Sequence, residues 1–278
     1  MAGRLGTRWV LPAILALATG LTACGQPGGK TLDFSLADGM TGGESAETVE
    51  LTVSAAASLT DALKDIRKVY ESRHPDVRLV FNFGASGTLQ RQIEQGAPVD
   101  LFISASARNV RDLVEKGRMD ERRPIRLLTN ELVVVVPADG HADAATLADL
   151  LKPEIKRVAI GIPESVPAGS YARDALANAG LWEALQPKTV QGKDVRQVLQ
   201  YVESGNADAG FVYRTDALTS RRVRIVFAVD RESCAPVEYL AGIVKDARHR
   251  KEAEAFLAFL QSEEALDLFA TYGYSVPK

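Results

Sequence analysis

The chain has 278 residues, which is enough for one or two globular domains. Hydrophobic residues make up 46% of it and charged residues 25%, as is usual for a soluble protein with a hydrophobic core. The formal net charge of -3 gives no sign of a nucleic-acid partner, so any anion site must be built locally and cannot rest on a basic face.

The N-terminal segment has the pattern of a bacterial export signal. Arg4 and Arg8 give it a positive start, and the apolar run that follows, residues 9–21, is too short to be a comfortable membrane span. The run ends in Leu21-Thr22-Ala23-Cys24-Gly25, which resembles the lipobox of bacterial lipoproteins. An ordinary cleaved signal peptide is the alternative interpretation.

The lipobox resemblance implies that residues 1–23 are removed as a lipoprotein signal peptide and that Cys24 carries a lipid. Residues 24–47 contain many turn formers and little to bury, so we expect a flexible tether to the membrane there. With Cys24 lipidated, Cys234 has no partner for a disulfide, and we interpret it as a small residue near a turn.

From residue 49 onward, the sequence alternates between strand patterns and helix patterns. The predicted strands are 49–54, 77–83, 99–104, 131–136, 157–162, 189–190, 209–213, 223–229 and 237–244. The predicted helices are 58–73, 88–95, 107–116, 147–151, 170–179, 181–185, 195–204, 252–260 and 264–271. This alternation favours an α/β fold with mostly parallel sheets, and its length of about 230 residues suggests two such domains.

Searches for catalytic and metal-binding patterns find nothing. The three histidines, His74, His141 and His249, lie far apart in polar or turn contexts, so we expect solvated surface side chains and no metal cation site. The sequence contains no GxSxG elbow, no P-loop and no HExxH motif. We therefore expect a protein that is not an enzyme and has no cofactor.

Short polar segments follow the predicted strands and open the helices after them. In open α/β sheets ligands collect at the carboxyl ends of strands, where helix N-termini offer backbone N–H groups to an anion. For two of the residues there, Ser58 and Ser86, plain helix N-capping is the competing interpretation, with Asp61 completing a capping pair for Ser58. For Tyr213, which ends a strand, a partly buried core position competes. The residue pattern alone leaves an anion receptor and a capped scaffold as alternatives.

An ordered set of segments carries a family resemblance. The segments are Val53 to Ala62, Phe83 to Leu89, Gln92 to Ala105, Val166 to Ala172, Asp194-Val195-Arg196, Val212-Tyr213, Asp216-Ala217 and Tyr272-Gly273-Tyr274. Together they resemble the molybdate-binding proteins of bacterial ABC transporters, from about residue 49 to the end of the chain. Each segment alone is weak, but the ordered set is highly specific.

The resemblance implies a type II periplasmic-binding-protein fold with two interleaved α/β lobes and a hinge of two crossovers. It implies a tetrahedral oxyanion, molybdate and also tungstate, held by neutral donors in the cleft between the lobes. The family's ligand-binding positions fall on Ser58, Ser86, Ala168, Val195 and Tyr213. Some members use the position before the second serine, which here is Ala85 and offers only its backbone N–H.

The resemblance also implies a division of the chain and a set of partners. One lobe comprises residues 48–128 and 228–278, and the other comprises residues 129–227, with the hinge near Leu128-Thr129 and Phe227-Ala228. The expected partners are the oxyanion, the permease of an ABC importer and, through Cys24, the membrane. We expect an extracytoplasmic monomer that binds no nucleic acid.

Three alternatives stay open at this point. The same fold can receive another oxyanion, such as tungstate alone, sulfate or phosphate, and Asp194 near the site leaves phosphate open. An enzyme on a similar scaffold, resembling hydroxymethylbilane synthase, would need a cofactor-bearing cysteine, for which Cys234 is the only candidate. A sensory module would present the same cleft to a membrane receptor.

Overall fold

The computed structural model describes residues 48–121, 124–140 and 143–277. The predicted signal peptide, Cys24, the tether and His141 lie outside the described residues. Within the described ranges, no helix combines the length and the apolar character needed to cross a membrane.

The described residues alternate strands and helices, as the sequence pattern predicts. The strands are β1 Val49–Ala56, β2 Val77–Gly84, β3 Leu101–Ser104, β4 Ile125–Asn130, β5 Leu132–Pro137, β6 Val158–Gly161, β7 Thr189–Gly192, β8 Ala209–Tyr213, β9 Val223–Ala228 and β10 Val237–Ile243. The α-helices are α1 Thr60–Arg73, α2 Ser86–Glu94, α3 Ala107–Glu115, α4 Pro167–Asn178, α5 Trp182–Leu185, α6 Val195–Glu203, α7 Arg214–Leu218, α8 Arg250–Phe259 and α9 Glu263–Thr271. Short 3-10 helices occupy Ala57–Leu59, Leu147–Leu151 and Gln186–Lys188.

Two five-stranded sheets organise these elements, and they share one pattern. The first has the order β2-β1-β3-β10-β4, and the second has the order β7-β6-β8-β5-β9. In each sheet one strand is antiparallel to its neighbours: β10 in the first and β5 in the second. We call the two halves lobe I, built on the first sheet, and lobe II, built on the second. The predicted two-lobed α/β fold is confirmed.

The chain passes from one lobe to the other and back. Strand β4 of lobe I ends at Asn130 and β5 of lobe II begins at Leu132; β9 of lobe II ends at Ala228 and β10 of lobe I begins at Val237. Lobe I is therefore built from two stretches of the chain, and lobe II from the stretch between them. The exact lobe boundaries and the bending points near Leu128-Thr129 and Phe227-Ala228 stay a prediction.

Burial explains why the inner strands form. From Leu132 to Val136 every side chain of β5 is buried, as expected for a strand covered by helices on both faces of its sheet. On α1, Ala62, Leu63, Ile66 and Tyr70 are buried along one face, which matches the helical period in the sequence. Each sheet is thus the middle layer of its lobe.

The strand register places the loops that matter for function. Strands β1 and β2 run parallel and pair from Val49 with Val77 up to Ala56 with Gly84. Because their carboxyl ends are level, the segments that follow, starting at Ala57 and Ala85, lie side by side at one edge of lobe I. The last residues of the two strands, Ala56 and Gly84, are thereby held at the same level at this edge of the sheet.

Several elements differ from the sequence prediction, and α4 shows the largest shift of a helix start. Strand β4 and the short helix α7 were not predicted, and α4 begins at Pro167 and not at residue 170. Proline is well suited to the first helical position, because its fixed φ is helical and its missing N–H would have had no partner there.

Candidate functional site

A small cavity lies between the lobes, where the carboxyl ends of strands from both sheets face each other. It is small, so it suits a compact ligand and no large one. Its lining residues are Ala56, Ala57, Ser58, Gly84, Ala85, Ser86, Ala105, Val166, Pro167, Ala168, Asp194, Val195 and Tyr213. All six residues assigned to the ligand from the sequence therefore line one cavity, three from each lobe.

Ser58 is buried in lobe I and is held by contacts from several directions. Its Oγ lies 2.8 Å from the Tyr239 hydroxyl, and its carbonyl oxygen accepts a 2.9 Å hydrogen bond from the Tyr274 hydroxyl. The helix-capping interpretation of Ser58 is wrong, because no side-chain cap is made at the start of the 3-10 helix or of α1. The side chain is aimed at other groups because it lies within the 3-10 helix, past the capping position.

Ser86 opens α2 and is completely buried. Its Oγ accepts a 3.0 Å hydrogen bond from the backbone N–H of Ala105, so its own O–H proton is left to donate. The capping interpretation is wrong here too, since the N-cap position is Ala85 and no side-chain cap is made. Ala85 and Ser86 both have backbone N–H groups at the start of a helix, where the helix itself supplies no acceptor.

Lobe II contributes the N-termini of two helices. Ala168 lies in the first turn of α4, and Val195 is the first residue of α6. The carboxylate of Asp194 caps α6, with Oδ1 accepting a 2.9 Å hydrogen bond from the N–H of Gln197. The macrodipoles of α4 and α6 thus place partial positive charge on this side of the cavity.

A pair of glycines brings α4 close to the end of β6. A Cβ on Gly169 would lie 1.9 Å from the carbonyl oxygen of Gly161, a contact that no larger residue tolerates. The absence of a side chain at both positions therefore lets the first turn of α4, including Ala168, reach the cavity.

Tyr213 ends β8 and is 1% exposed, yet its hydroxyl has no hydrogen-bond partner among the described protein groups. Burial raises the pKa of Tyr213 well above its usual value, with neighbouring tyrosines and Asp216 adding to the shift. The hydroxyl therefore keeps its proton and is a donor. A buried polar atom that lines a cavity and lacks a protein partner points to a ligand that completes it.

An ion-pair cluster flanks the cavity. The guanidinium of Arg196 places Nε 2.8 Å from Oδ1 of the fully buried Asp216, an ion pair whose alignment does not make a regular hydrogen bond. The same side chain reaches lobe I, where it donates to Asp61 Oδ2 over 2.8 Å and to the carbonyl of Ser58 over 3.2 Å. Burial raises the pKa of Asp216 to about 6, and the Arg196 charge opposes that rise.

Other contacts join the lobes across the mouth of the cleft. The N–H of Gly87 donates to the carbonyl of Ser165 over 2.9 Å, and the Tyr171 hydroxyl donates to the carbonyl of Ala105 over 3.3 Å. A Cβ on Gly87 would come within 2.8 Å of that Ser165 oxygen. The lobes are therefore closed on each other, with backbone against backbone.

The remaining candidate residues lie away from this cavity. His74 is half-buried and stacks on Tyr70, and His249 is half-buried with Nδ1 3.4 Å from the Asp100 carboxylate, so both side chains are partly solvated and each has a local partner. Cys234 is a free, half-buried thiol in a groove lined by residues of both connections between the lobes. Among the described residues, no cluster of histidine, cysteine or carboxylate side chains has the geometry of a metal site.

Sequence reasoning did not assign a role to Arg196, Tyr239 or Tyr274. Two of them stand in the quoted motifs, Asp194-Val195-Arg196 and Tyr272-Gly273-Tyr274, so their position beside the site was available as a signal. No sequence signal pointed to Tyr239, because only the fold brings β10 next to Ser58.

The fold and the cavity between its lobes define a solute-binding protein of the two-lobed type. A comparison with protein families finds that residues 51–275 match the family of bacterial extracellular solute-binding proteins.

Known relatives agree with this match. The chain is 47% identical to a putative ABC transporter substrate-binding lipoprotein, YvgL, of Bacillus subtilis, over 84% of this chain and 88% of the relative. It is 38% identical to the molybdate-binding protein ModA of Escherichia coli, over 89% and 96% of the two chains. The structure of the substrate-binding domain of a putative molybdenum ABC transporter from Clostridium difficile superposes with a TM-score of 0.64 at 39% identity, over 83% of this chain and all of that one.

The chain therefore belongs to the family of bacterial extracellular solute-binding proteins that includes the molybdate-binding proteins of ABC transporters. The family resemblance predicted from the motifs is confirmed.

Proposed function

We propose that this chain is the receptor of a bacterial ABC importer and that it binds molybdate, and also tungstate, in the cavity between its lobes. The observation that carries the proposal is the hydroxyl of Tyr213, which is buried, lines the cavity and has no partner among the residues that the structure describes. Around it stand the hydroxyls of Ser58 and Ser86 and the N-terminal backbone groups of α2, α4 and α6. The ligand is a transported oxyanion and not a substrate for chemistry.

The donor set fits a compact anion that is fully deprotonated. The lining residues in the described part of the chain include no lysine and no arginine, so the anion's charge meets hydroxyls, N–H groups and helix dipoles. Arg196 is near, but Asp216 and Asp61 balance its charge. Hydrogen bonds from neutral donors to a charged oxygen each contribute about 1.5–3 kcal/mol, so five or six of them suffice for tight binding.

Phosphate is the oxyanion that this lining disfavours. At neutral pH phosphate carries a proton, which needs an acceptor in the site. The one carboxylate among the described lining residues is Asp194, and because its Oδ1 is engaged in capping α6, only its Oδ2 is left to accept such a proton. Sulfate has no such proton, so its rejection must come from size, since molybdate and tungstate are larger tetrahedra. The names of the molybdate-binding relatives support the larger ions.

Isothermal titration calorimetry on the soluble body, residues 48–278, tests this assignment. Molybdate, tungstate, sulfate and phosphate are titrated separately into protein that has been dialysed free of anions. We expect tight binding of molybdate and tungstate and weak binding of the other two. Sulfate binding as tight as molybdate binding would make the protein a general oxyanion receptor and would contradict the proposal.

We also propose that the mature protein is anchored outside the cytoplasm by a lipid on Cys24 and acts there as a monomer that loads a membrane permease. The lipobox pattern supports the anchor, and the Bacillus subtilis relative carries the word lipoprotein in its name. Intact-mass analysis of protein extracted from membranes should show a chain that begins at Cys24 with added lipid; an unmodified chain that begins elsewhere would contradict the anchor.

A further inference from the structure

A chain of hydrogen bonds leads from the hinge to the hydroxyl of Ser58. It begins at Asn130, the last residue of β4, whose Oδ1 accepts a 2.9 Å hydrogen bond from the backbone N–H of Glu131. A backbone N–H can only donate, so the amide oxygen of Asn130 must face it. This fixes the orientation of the side-chain amide and turns its NH2 group toward the site.

The NH2 group of Asn130 then fixes the roles of two hydroxyls. It donates to Thr215 Oγ1 over 2.9 Å and to the Tyr239 hydroxyl oxygen over 3.3 Å. Tyr239 is completely buried, and its O–H proton therefore needs an acceptor. The acceptor within reach is Ser58 Oγ, at 2.8 Å.

The direction of the chain decides what Ser58 offers to a ligand. If Tyr239 donates to Ser58 Oγ, the Ser58 proton is free to point into the cavity. In the reverse arrangement the Tyr239 oxygen accepts from both Asn130 and Ser58, and its own proton is buried without an acceptor, which is costly. The first arrangement therefore dominates, and Ser58 presents a donor to the ligand.

The hydroxyl of Ser86 is also oriented by a hydrogen bond to its oxygen, but from a different group. Its Oγ accepts from the backbone N–H of Ala105, so its proton is also left for the cavity. Two serines from neighbouring loops thus have their oxygens occupied by fixed donors. Because both serines share this arrangement, the fold of lobe I positions both hydroxyls as hydrogen-bond donors to the cavity.

We propose that Tyr239, oriented by Asn130, is a positioning residue that holds the Ser58 hydroxyl as a donor and thereby selects anion oxygens that carry no proton. This inference deepens the proposed function and rests on it. A protonated oxygen, such as one on hydrogen phosphate, needs an acceptor, whereas Ser58 in this arrangement directs its proton at the ligand and has one of its two lone pairs occupied by Tyr239.

A double-mutant cycle on Tyr239 and Ser58 separates positioning from general structural support. Molybdate affinity is measured by calorimetry for the unsubstituted protein, Tyr239→Phe, Ser58→Ala and the double variant, each checked for folding by thermal denaturation. We expect Tyr239→Phe to weaken binding about two- to tenfold, the range for one hydrogen bond, and to have no further effect once Ser58 is alanine. Equal losses in both backgrounds, or no loss in either, would overturn the inference.

Tyr274→Phe is the matched control. Tyr274 packs edge-on against Tyr239 with ring centroids 5.4 Å apart, and its hydroxyl bonds to the carbonyl of Ser58 and not to its side chain. Any change it causes should therefore be the same with serine or alanine at position 58. Should Tyr239→Phe not fold, Asn130→Asp replaces it in the cycle. The second carboxylate oxygen of that variant accepts the Tyr239 proton, and the Tyr239 oxygen then accepts from Ser58, so the same coupling is expected.

The ratio of phosphate to molybdate affinity at pH 7 tests the selection itself. Without the Tyr239 hydroxyl, both lone pairs of Ser58 Oγ are free and one can accept a hydrogen bond from hydrogen phosphate, so Tyr239→Phe should bring the two affinities closer together by two- to tenfold. An unchanged ratio would refute the selection. If the unsubstituted protein prefers another of the four anions, the cycle is run with that anion. The anion preference then tests the molybdate assignment, and the mutant cycle separately tests the positioning role of Tyr239. If the protein binds none of the four anions, both are refuted.

Discussion

Replacing Tyr213 with phenylalanine is the perturbation with the clearest expected outcome. The ring of Tyr213 is buried and contacts Tyr239 edge-on with centroids 6.0 Å apart, and phenylalanine keeps that packing. The hydroxyl bonds to no described protein group, so its loss breaks no hydrogen bond within the protein. The variant should therefore fold with an unfolding free energy that is equal to or higher than that of the unsubstituted protein.

Ligand binding should respond very differently. The hydroxyl is proposed to donate to a charged oxygen, and the loss of such a bond costs about 1.5–3 kcal/mol, or roughly ten- to a hundredfold in affinity. At a saturating molybdate concentration the ligand's contribution to stability falls by the same free energy. For a chain of this size that lowers the ligand-induced rise in Tm by about 3–10 °C.

Two assays read these effects on the same sample. Calorimetry gives the affinity, and thermal denaturation with and without molybdate gives both the intrinsic Tm and the ligand-induced shift. An affinity unchanged from that of the unsubstituted protein would refute the reasoning and leave Tyr213 as a core residue. A fall in the ligand-free Tm of many degrees would show that the hydroxyl has a structural partner after all.

Three further substitutions test the closed arrangement and its charges. Gly87→Ala places a Cβ against the Ser165 carbonyl of the opposite lobe, so the lobes should close less completely and bind molybdate more weakly. Small-angle scattering with molybdate should then show a less compact particle, and a fully closed particle would contradict this. Asp61→Asn removes the partly exposed ion pair with Arg196 across the cleft, which contributes about 0.2–1 kcal/mol. Stopped-flow measurements should therefore show up to fivefold faster molybdate release. An unchanged rate would mean that the pair does not stabilise the closed, loaded state. The pKa of Asp216 is raised from 3.8 to about 6, so the folded state binds more protons than the unfolded state between these values and stability falls as pH rises through that window. Asp216→Asn should flatten this slope in urea-unfolding curves at pH 4–7, and an unaltered slope would show that another group causes it.

The fold was predictable because its signals are local and repeated. Apolar runs such as residues 132–136, with helical periods between them, predict covered sheets wherever they alternate. Strand β4 escaped because it carries Arg126 and polar residues at its end, so it resembles an edge strand or a loop, and it is indeed the last strand of its sheet. Edge position was not visible without the topology.

The site was predictable in part for the same reason. Ser58, Ser86, Ala168 and Val195 follow strands and open helices, which is a local pattern with a known physical use. The residues that act on them come from far along the chain: Tyr239 is 181 positions from Ser58. Only the antiparallel return of β10 beside β3 brings that hydroxyl to the serine, and no local pattern announces a contact of this kind.

The interpretation of the two serines as helix caps failed for a related reason. A serine at a helix start usually bonds to the backbone two or three residues on. At both positions here, the distant partners Tyr239 and Ala105 occupy the serine oxygen, so tertiary contacts override the local preference. Asp61, read as part of a capping pair, bonds to Arg196 of the other lobe.

The measurement that tests the central claim most directly is anomalous diffraction at the molybdenum edge from crystals grown with molybdate. The account predicts a single strong peak between the lobes, with its oxygens within hydrogen-bond distance of the hydroxyls of Ser58, Ser86 and Tyr213 and of the backbone N–H groups of Ala168 and Val195. A peak elsewhere on the molecule, or no peak from crystals saturated with molybdate, would contradict it.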